Sequence, residues 1–426
     1  MAGTPSAADI RAALNGVRDE ALELLRQLLA IDTQVIEHGV TGLEGNATEW
    51  LQKQLEALGC AVDVFEPNNE RLQKYADFTP GHQYQGRPNV VGVWHGQGGG
   101  RSLILNTHID VVPPGEENEW TYGPFSGAIA DGLVYGRGAS DTKSGMTISL
   151  MAIRLLQSVG FKPRGRVIVE GVVDEEGGGN GTLACIDRGY TADGAICFEP
   201  TEGRLLVAHR GVMSLRIKVF GLAGHAATKW RKGVSAVEKA IRLVRRLQEL
   251  EHRWLAEKSG GLLPAPTITV GKFAGGIGPT TIPENCTLEV DVKYLPSEVD
   301  EQGQGGRVRA EVEAAVLEEC RGDAWLSEHL PVFEWFVDVP PSYTPVDHPF
   351  VVSAREVMAE VGGSPELGGF PAGCDARLLT NIGKTPSLIY GPGSLGQAHA
   401  VNESLPVEAY LQAIETVALL IGRWTA

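Results

Sequence analysis

Apolar positions recur every three or four residues over 9–30 and again over 46–58, which predicts two amphipathic helices at the start of the chain. Short apolar runs then alternate with helical pattern. NVVGVWH (89–95), SLILNTHID (102–110), RVIVEGVVDEE (166–176) and GAICFEP (194–200) read as buried strands, and TISLMAIRLLQSVG (147–160) reads as a helix between them. Strands apolar on both faces and separated by helices predict a mostly parallel sheet with helices on both sides.

From Val207 the texture changes. Strand VMSLRIKVFG (212–221), a long basic helix (235–257), strands at 266–274 and 286–295, a helix at 306–320 and a strand at 331–337 follow in β-α-β-β-α-β order, the pattern of a separate small α/β sandwich. After Pro340-Pro341 a helix (349–361), strand TPSLIYG (385–391) and a closing helix (406–422) return to the first pattern. The expected architecture is a discontinuous larger domain, 1–206 and 339–426, with 207–338 inserted into it. Segment 66–88 reads as an extended loop over the sheet.

Composition narrows the function. The 426 residues carry a formal charge of −16, which repels phosphate backbones and anionic lipid and argues against nucleic-acid and membrane-surface roles. No apolar run approaches the roughly 20 residues that span a bilayer, and Met1 to Asn15 lacks the pattern of a secretion signal. Six scattered cysteines without a CxxC pair fit a reducing compartment, so a cytoplasmic protein is expected. GPGSLG (391–396) fits GxGxxG, but with only 30 residues after it no second βαβ unit can follow; it reads as a glycine turn. The absence of a GxSxG elbow and of a P-loop sets aside serine hydrolases and phosphoryl transfer.

Three of the apolar runs end in metal-ligand residue types: His108 and Asp110, then Asp174, Glu175 and Glu176, then Glu199. In open parallel sheets ligands bind beyond the carboxyl ends of the strands, so these groups can converge. Asp141 stands in a glycine-rich turn before a helix. Mixed imidazole and carboxylate ligands suit zinc, with cobalt or manganese as substitutes. Of the adjacent pair Glu175 and Glu176, one can hold metal while the other takes a proton from metal-bound water. Asp110 could hold the far ring nitrogen of His108 and fix its tautomer. Asp174 reads as a turn residue, and Cys374 as packing.

HID (108–110), GRGASDTKSG (136–145), DEEGGG (174–179), FEPT (198–201) and GQAHAVNE (396–403) together resemble the co-catalytic di-zinc amidohydrolase and peptidase family M20, which includes acetylornithine deacetylase, succinyl-diaminopimelate desuccinylase, aminoacylase and glutamate carboxypeptidase. The resemblance spans nearly the whole chain. It implies two Zn2+ per subunit bridged by Asp141, with His108 and Glu199 on one and Glu176 and His399 on the other, Glu175 as general base, and a cis peptide between Asp141 and Thr142. It also implies that the inserted domain is a lid and dimerisation domain. There GLAGHAATKW (221–230) matches the segment whose histidine, His225 here, reaches the active site of the partner in a homodimer and polarises the scissile carbonyl. Arg377 in AGCDARLL resembles an arginine that binds a substrate carboxylate, and an ion pair with Asp375 is the alternative role. Thr280 and Lys293 stand where many relatives have Asn and Arg, and Cys374 where many have Thr.

The function so implied is hydrolysis of an N-acylated amino acid or related small N-acyl amine. A dipeptidase or carboxypeptidase is the alternative, and a non-catalytic metal-dependent binding protein a third reading.

Overall fold

A computed structural model describes residues 4–259 and 261–426. Two compact units emerge from it: 4–207 with 343–368 and 374–426, and 208–342 with 369–373.

In chain order the main strands are β1 (Ala61–Phe65), β2 (Asn89–Trp94), β3 (Leu103–His108), β4 (Val167–Val172), β5 (Ala195–Phe198), β6 (Leu205–His209), β7 (Gly211–Phe220), β8 (Thr267–Gly275), β9 (Asn285–Tyr294), β10 (Val332–Val339) and β11 (Ser387–Tyr390). The large sheet runs β6-β11-β5-β3-β4-β2-β1, with short strands added beside β6. Its four central strands, β11, β5, β3 and β4, are parallel, as expected. Its flanks are not: β1, β2 and β6 all pair antiparallel, so the sheet is mixed. Apolar runs carry no record of strand direction, which the connections decide.

The core of this unit is continuous. Leu105, Val169 and Ile196 on the sheet, Met151 and Leu155 on helix Lys143–Ser158, and Ile414 and Val417 on helix Val407–Trp424 belong to one buried cluster. Gly145 lies so close to β5 that a Cβ there would stand 2.5 Å from the Phe198 side chain, which seats the start of its helix against the strand. The helix expected over 9–30 is two helices, Ala7–Gly16 and Arg18–Leu29. Gly16, a poor helix former, ends the first, and Val17 at φ −127° and ψ 19° leaves helical geometry.

The second unit is a four-stranded antiparallel sheet of order β8-β9-β7-β10. Leu215, Ile217, Leu288 and Val290 cluster with Leu243 and Leu250 of helix Ala236–Glu257 and Val312 and Val316 of helix Gly306–Arg321. The β-α-β-β-α-β order read from the sequence is present. The opposite face carries ion pairs such as Arg216 with Glu289 and Glu334.

One core group is out of character. Glu170 on β4 is fully buried; one oxygen accepts from Asn106 Nδ2 at 3.0 Å and the other has no partner. Burial pushes its carboxyl up to about 8, against an ordinary value of 4.5. Between those two values the folded chain keeps a proton that the unfolded chain releases, so this group costs stability as pH rises through that window. Glu170→Gln is expected to match the parent at pH 5 and to exceed it by on the order of 3 kcal/mol at pH 9, measured by urea unfolding of the chelator-treated proteins.

Candidate metal centre

The parallel strands deliver their carboxyl ends to one place. His108 ends β3, Glu175 and Glu176 lie on the turn after β4, and Glu199 follows β5. Asp141 precedes helix Lys143–Ser158, and His399 lies in the turn before the closing helix.

Two three-residue groups result, His108 with Glu175 and Glu199, and Asp141 with Glu176 and His399; within each the ligand atoms lie inside 4.8 Å of one another. Asp141 touches both. Its Oδ1 is 3.1 Å from His108 Nε2 and its Oδ2 is 3.5 Å from His399 Nε2. Glu176 Oε1 lies 3.0 Å from His399 Nε2. The Asp141–Thr142 peptide is cis.

Electrostatics in the bare cluster are those of crowded acids. Burial raises the Glu199 carboxyl well above its usual range, and Glu175 raises it further. Burial likewise raises Glu175, partly offset by His108. Burial alone would lower His108, but Asp141, Asp110 and Glu175 hold it well above an ordinary imidazole. A hydrogen bond to Glu176 raises His399. The donor set fits divalent metal: imidazole nitrogens and carboxylate oxygens converge, and the buried Glu199 Oε1 has no hydrogen-bond partner. A third group, Cys197 with Glu199 and Cys374, shares Glu199.

Asp110 does meet the far ring nitrogen of His108, but through its main chain. His108 Nδ1 lies 3.0 Å from the main-chain oxygen of Asp110, not its carboxylate, which is 3.7 Å away. That carboxylate is taken up by the N–H groups of Glu175 (3.2 Å) and Glu176 (2.9 Å), so it fixes the acidic turn.

Arg377 is buried. Its Nη2 donates to Gly178 O at 2.9 Å and its Nη1 stands 3.8 Å from Asp375, while Nε and Nη1 lack hydrogen-bond partners. His225 belongs to the second unit. It is exposed, its Nδ1 accepts from Ala227 N at 3.1 Å, and it pairs with Thr281 in a short ladder beside Thr280. Lys293 binds Asp291 at 3.0 Å.

The peptidase family M20/M25/M40 profile matches residues 104–423. This chain belongs to that family. It is 30% identical over 439 aligned residues to the N-formyl-4-amino-5-aminomethyl-2-methylpyrimidine deformylase of Halalkalibacterium halodurans, covering 96% of this chain and 95% of the other. Against the succinyl-diaminopimelate desuccinylase of Paracoccus denitrificans the identity is 31% over 366 residues, 80% of this chain and 88% of that one. A tripeptidase of Staphylococcus aureus shares the fold, with a TM-score of 0.74 at 21% identity over 96% and 98% of the two chains. The protein is thus an M20 metal-dependent hydrolase of amide or peptide bonds, with a candidate dinuclear metal site. No helix among the described residues is long and apolar enough to cross a membrane.

Sequence reasoning missed a residue that shapes this M20 site. Glu403, the last letter of the GQAHAVNE motif, is fully buried; its Oε1 accepts from Ser140 N (2.8 Å) and Asp141 N (2.9 Å), and its Oε2 from Gly138 N (3.1 Å) and Arg137 Nη1 (2.8 Å). Four donors on one carboxylate hold the loop that carries Asp141. Glu403→Gln puts an amide against those donors and is expected to weaken metal binding about 10–100-fold, read by competition with a fluorescent chelator on folded protein at 25 °C.

Proposed function

We propose that the chain removes a small acyl group, formyl foremost, from an N-acylated amine or amino acid. The likeness along 96% of its length to a deformylase of an N-formyl aminomethylpyrimidine carries this substrate class, and the likeness to a desuccinylase supports deacylation in general.

His108 and Glu199 would hold one ion and Glu176 and His399 the other, with Asp141 beside both groups, and the donor types put zinc first with cobalt or manganese as substitutes. Bound there, the ions would supply Lewis acidity toward the amide carbonyl and toward water. Glu175 is the general base: one of its carboxylate oxygens lies within 4.8 Å of the ligand atoms of His108 and Glu199, on a turn whose N–H groups Asp110 holds. It takes a proton from the attacking water and passes it to the amine nitrogen as the C–N bond breaks, giving a carboxylic acid and a free amine. His225, reaching across a homodimer, donates to the carbonyl oxygen as negative charge develops. The inserted domain, 207–338, acts as lid and dimer contact. Asp110 acts by orienting the base, and Arg377 offers buried Nε and Nη1 donors to the substrate.

Those same donors favour a second reading. A buried guanidinium with unpartnered N–H groups suits the terminal carboxylate of a peptide, as in a dipeptidase or carboxypeptidase. A panel of N-formyl, N-acetyl and N-succinyl amines with dipeptides, assayed for amine release by zinc-loaded protein, separates the two. Formyl amides are expected to turn over fastest, and a preference for dipeptides would move the protein to the peptidase branch. Glu175→Gln is expected to lower kcat by at least about 1,000-fold while bound metal is retained; near-parent activity would remove Glu175 from the role of base.

A further inference from the structure

Asp174, the residue before the base, is fully buried and sits at φ +68°, a left-handed conformation that costs a non-glycine residue energy. Hydrogen bonds surround it. Its Oδ2 accepts from Tyr84 OH at 2.6 Å, and its Oδ1 lies 2.9 Å from His82 Nδ1. Its main-chain oxygen accepts from Gly178 N at 3.0 Å and Gly179 N at 2.6 Å. Both ends of Asp174 are therefore tied, the main chain to its own turn and the side chain to segment 66–88.

That segment is itself anchored. Tyr84 OH accepts from Asn180 Nδ2 at 2.7 Å, and Asn180 is joined to the main chain of Thr79 through both of its amide atoms. Arg87 makes two hydrogen bonds to the buried Glu44, at 2.8 and 2.5 Å, and binds the Gly39 and Gln83 carbonyls. The His82 ring fills the space beneath the turn, since a Cβ on Gly177 would fall 2.9 Å from His82 Cε1. On the other side Asp110 holds the N–H groups of Glu175 and Glu176.

We infer that Tyr84 and His82 are positioning residues for Glu175, acting through Asp174; this rests on the reading of Glu175 as the base. The Glu175 carboxylate hangs from a main chain fixed by Asp110 at one point and by Asp174 at the preceding residue. Releasing Asp174 lets the turn relax its left-handed residue and shifts the carboxylate relative to the water it must deprotonate. A displacement of about 1 Å at a reacting group costs on the order of 100-fold in rate. Neither side chain is among the proposed metal ligands, so the loss falls on kcat.

The test uses zinc-loaded Tyr84→Phe, His82→Leu and His82→Gln proteins with the amide of the panel that the parent turns over fastest. Tyr84→Phe and His82→Leu are each expected to lower kcat about 10–100-fold with KM within about twofold and bound metal unchanged. His82→Gln, which can still donate to Asp174, is expected to recover most of the rate. Adding Tyr84→Phe to Glu175→Gln should cost nothing more, because the group it positions is gone. Parent-like kcat in Tyr84→Phe, loss of metal in step with activity, or a full further loss in the double variant would each overturn the inference. Tyr84→Phe removes a single oxygen and serves as the test even where His82→Leu fails to fold. An active Glu175→Gln protein would instead overturn the reading of the base itself.

Discussion

Five carboxylates, those of Asp110, Asp141, Glu175, Glu176 and Glu199, crowd around two imidazoles, and among the described residues none of the five forms an ion pair with a lysine or arginine. Left to themselves such groups keep protons or push apart, because low-dielectric surroundings amplify their repulsion. The fold overrides this by fixing the five from four elements, the ends of β3, β4 and β5 and the start of a helix. A negatively charged cradle of this kind is complementary to divalent cations, and the orphaned Glu199 oxygen is what such a cradle leaves open when the protein alone is considered.

Positive side chains are present, one layer out. Arg137 pairs with Glu403, Arg87 with Glu44 and more distantly with Asp174, and Arg377 stands beside Asp375. Each is buried, so the pairs add little net stability over apolar packing, and breaking one strands a charge. Their value lies in geometry. Glu403 draws four donors onto the loop of Asp141, and Asp174 is hydrogen-bonded to side chains of 66–88 beneath the turn of Glu175. The arginines neutralise the carboxylates that hold loops and leave alone those that face the centre.

How much of this could be read beforehand follows from where the information lies. His108, Glu199 and the Glu175–Glu176 pair stand at the ends of apolar runs, and a strand's end in sequence is also its end in space. The order of elements in both units was legible for the same reason. Strand direction at the sheet's flanks was not, since β2 reads like β3 in sequence yet runs against β4. The role of Asp110 was legible only in part: the spacing HID placed the residue, but which of its oxygens meets His108 depends on the competing N–H groups of a turn 65 residues later. His82, Tyr84 and Arg87 carry no local pattern, and their task exists only once segment 66–88 lies against the turn at Asp174.

Segment 66–88 also bears on how one catalytic scaffold serves different amides. The ligand-bearing strand ends fix the reaction, because any shift there disturbs metal geometry. The loops that brace them face fewer constraints, needing only to present donors to Asp174 or to the turn of Gly178. Thr79 packs so closely on Gly178 that a Cβ there would lie 2.2 Å from its hydroxyl, and Gly178 O in turn receives Arg377, the buried guanidinium with free donors. A change in this segment would therefore reach both the turn of Glu175 and the buried Arg377. Variation in that one loop can move the turn of Glu175 and the guanidinium of Arg377 together, while the strand ends that carry His108 and Glu199 stay where the sheet puts them.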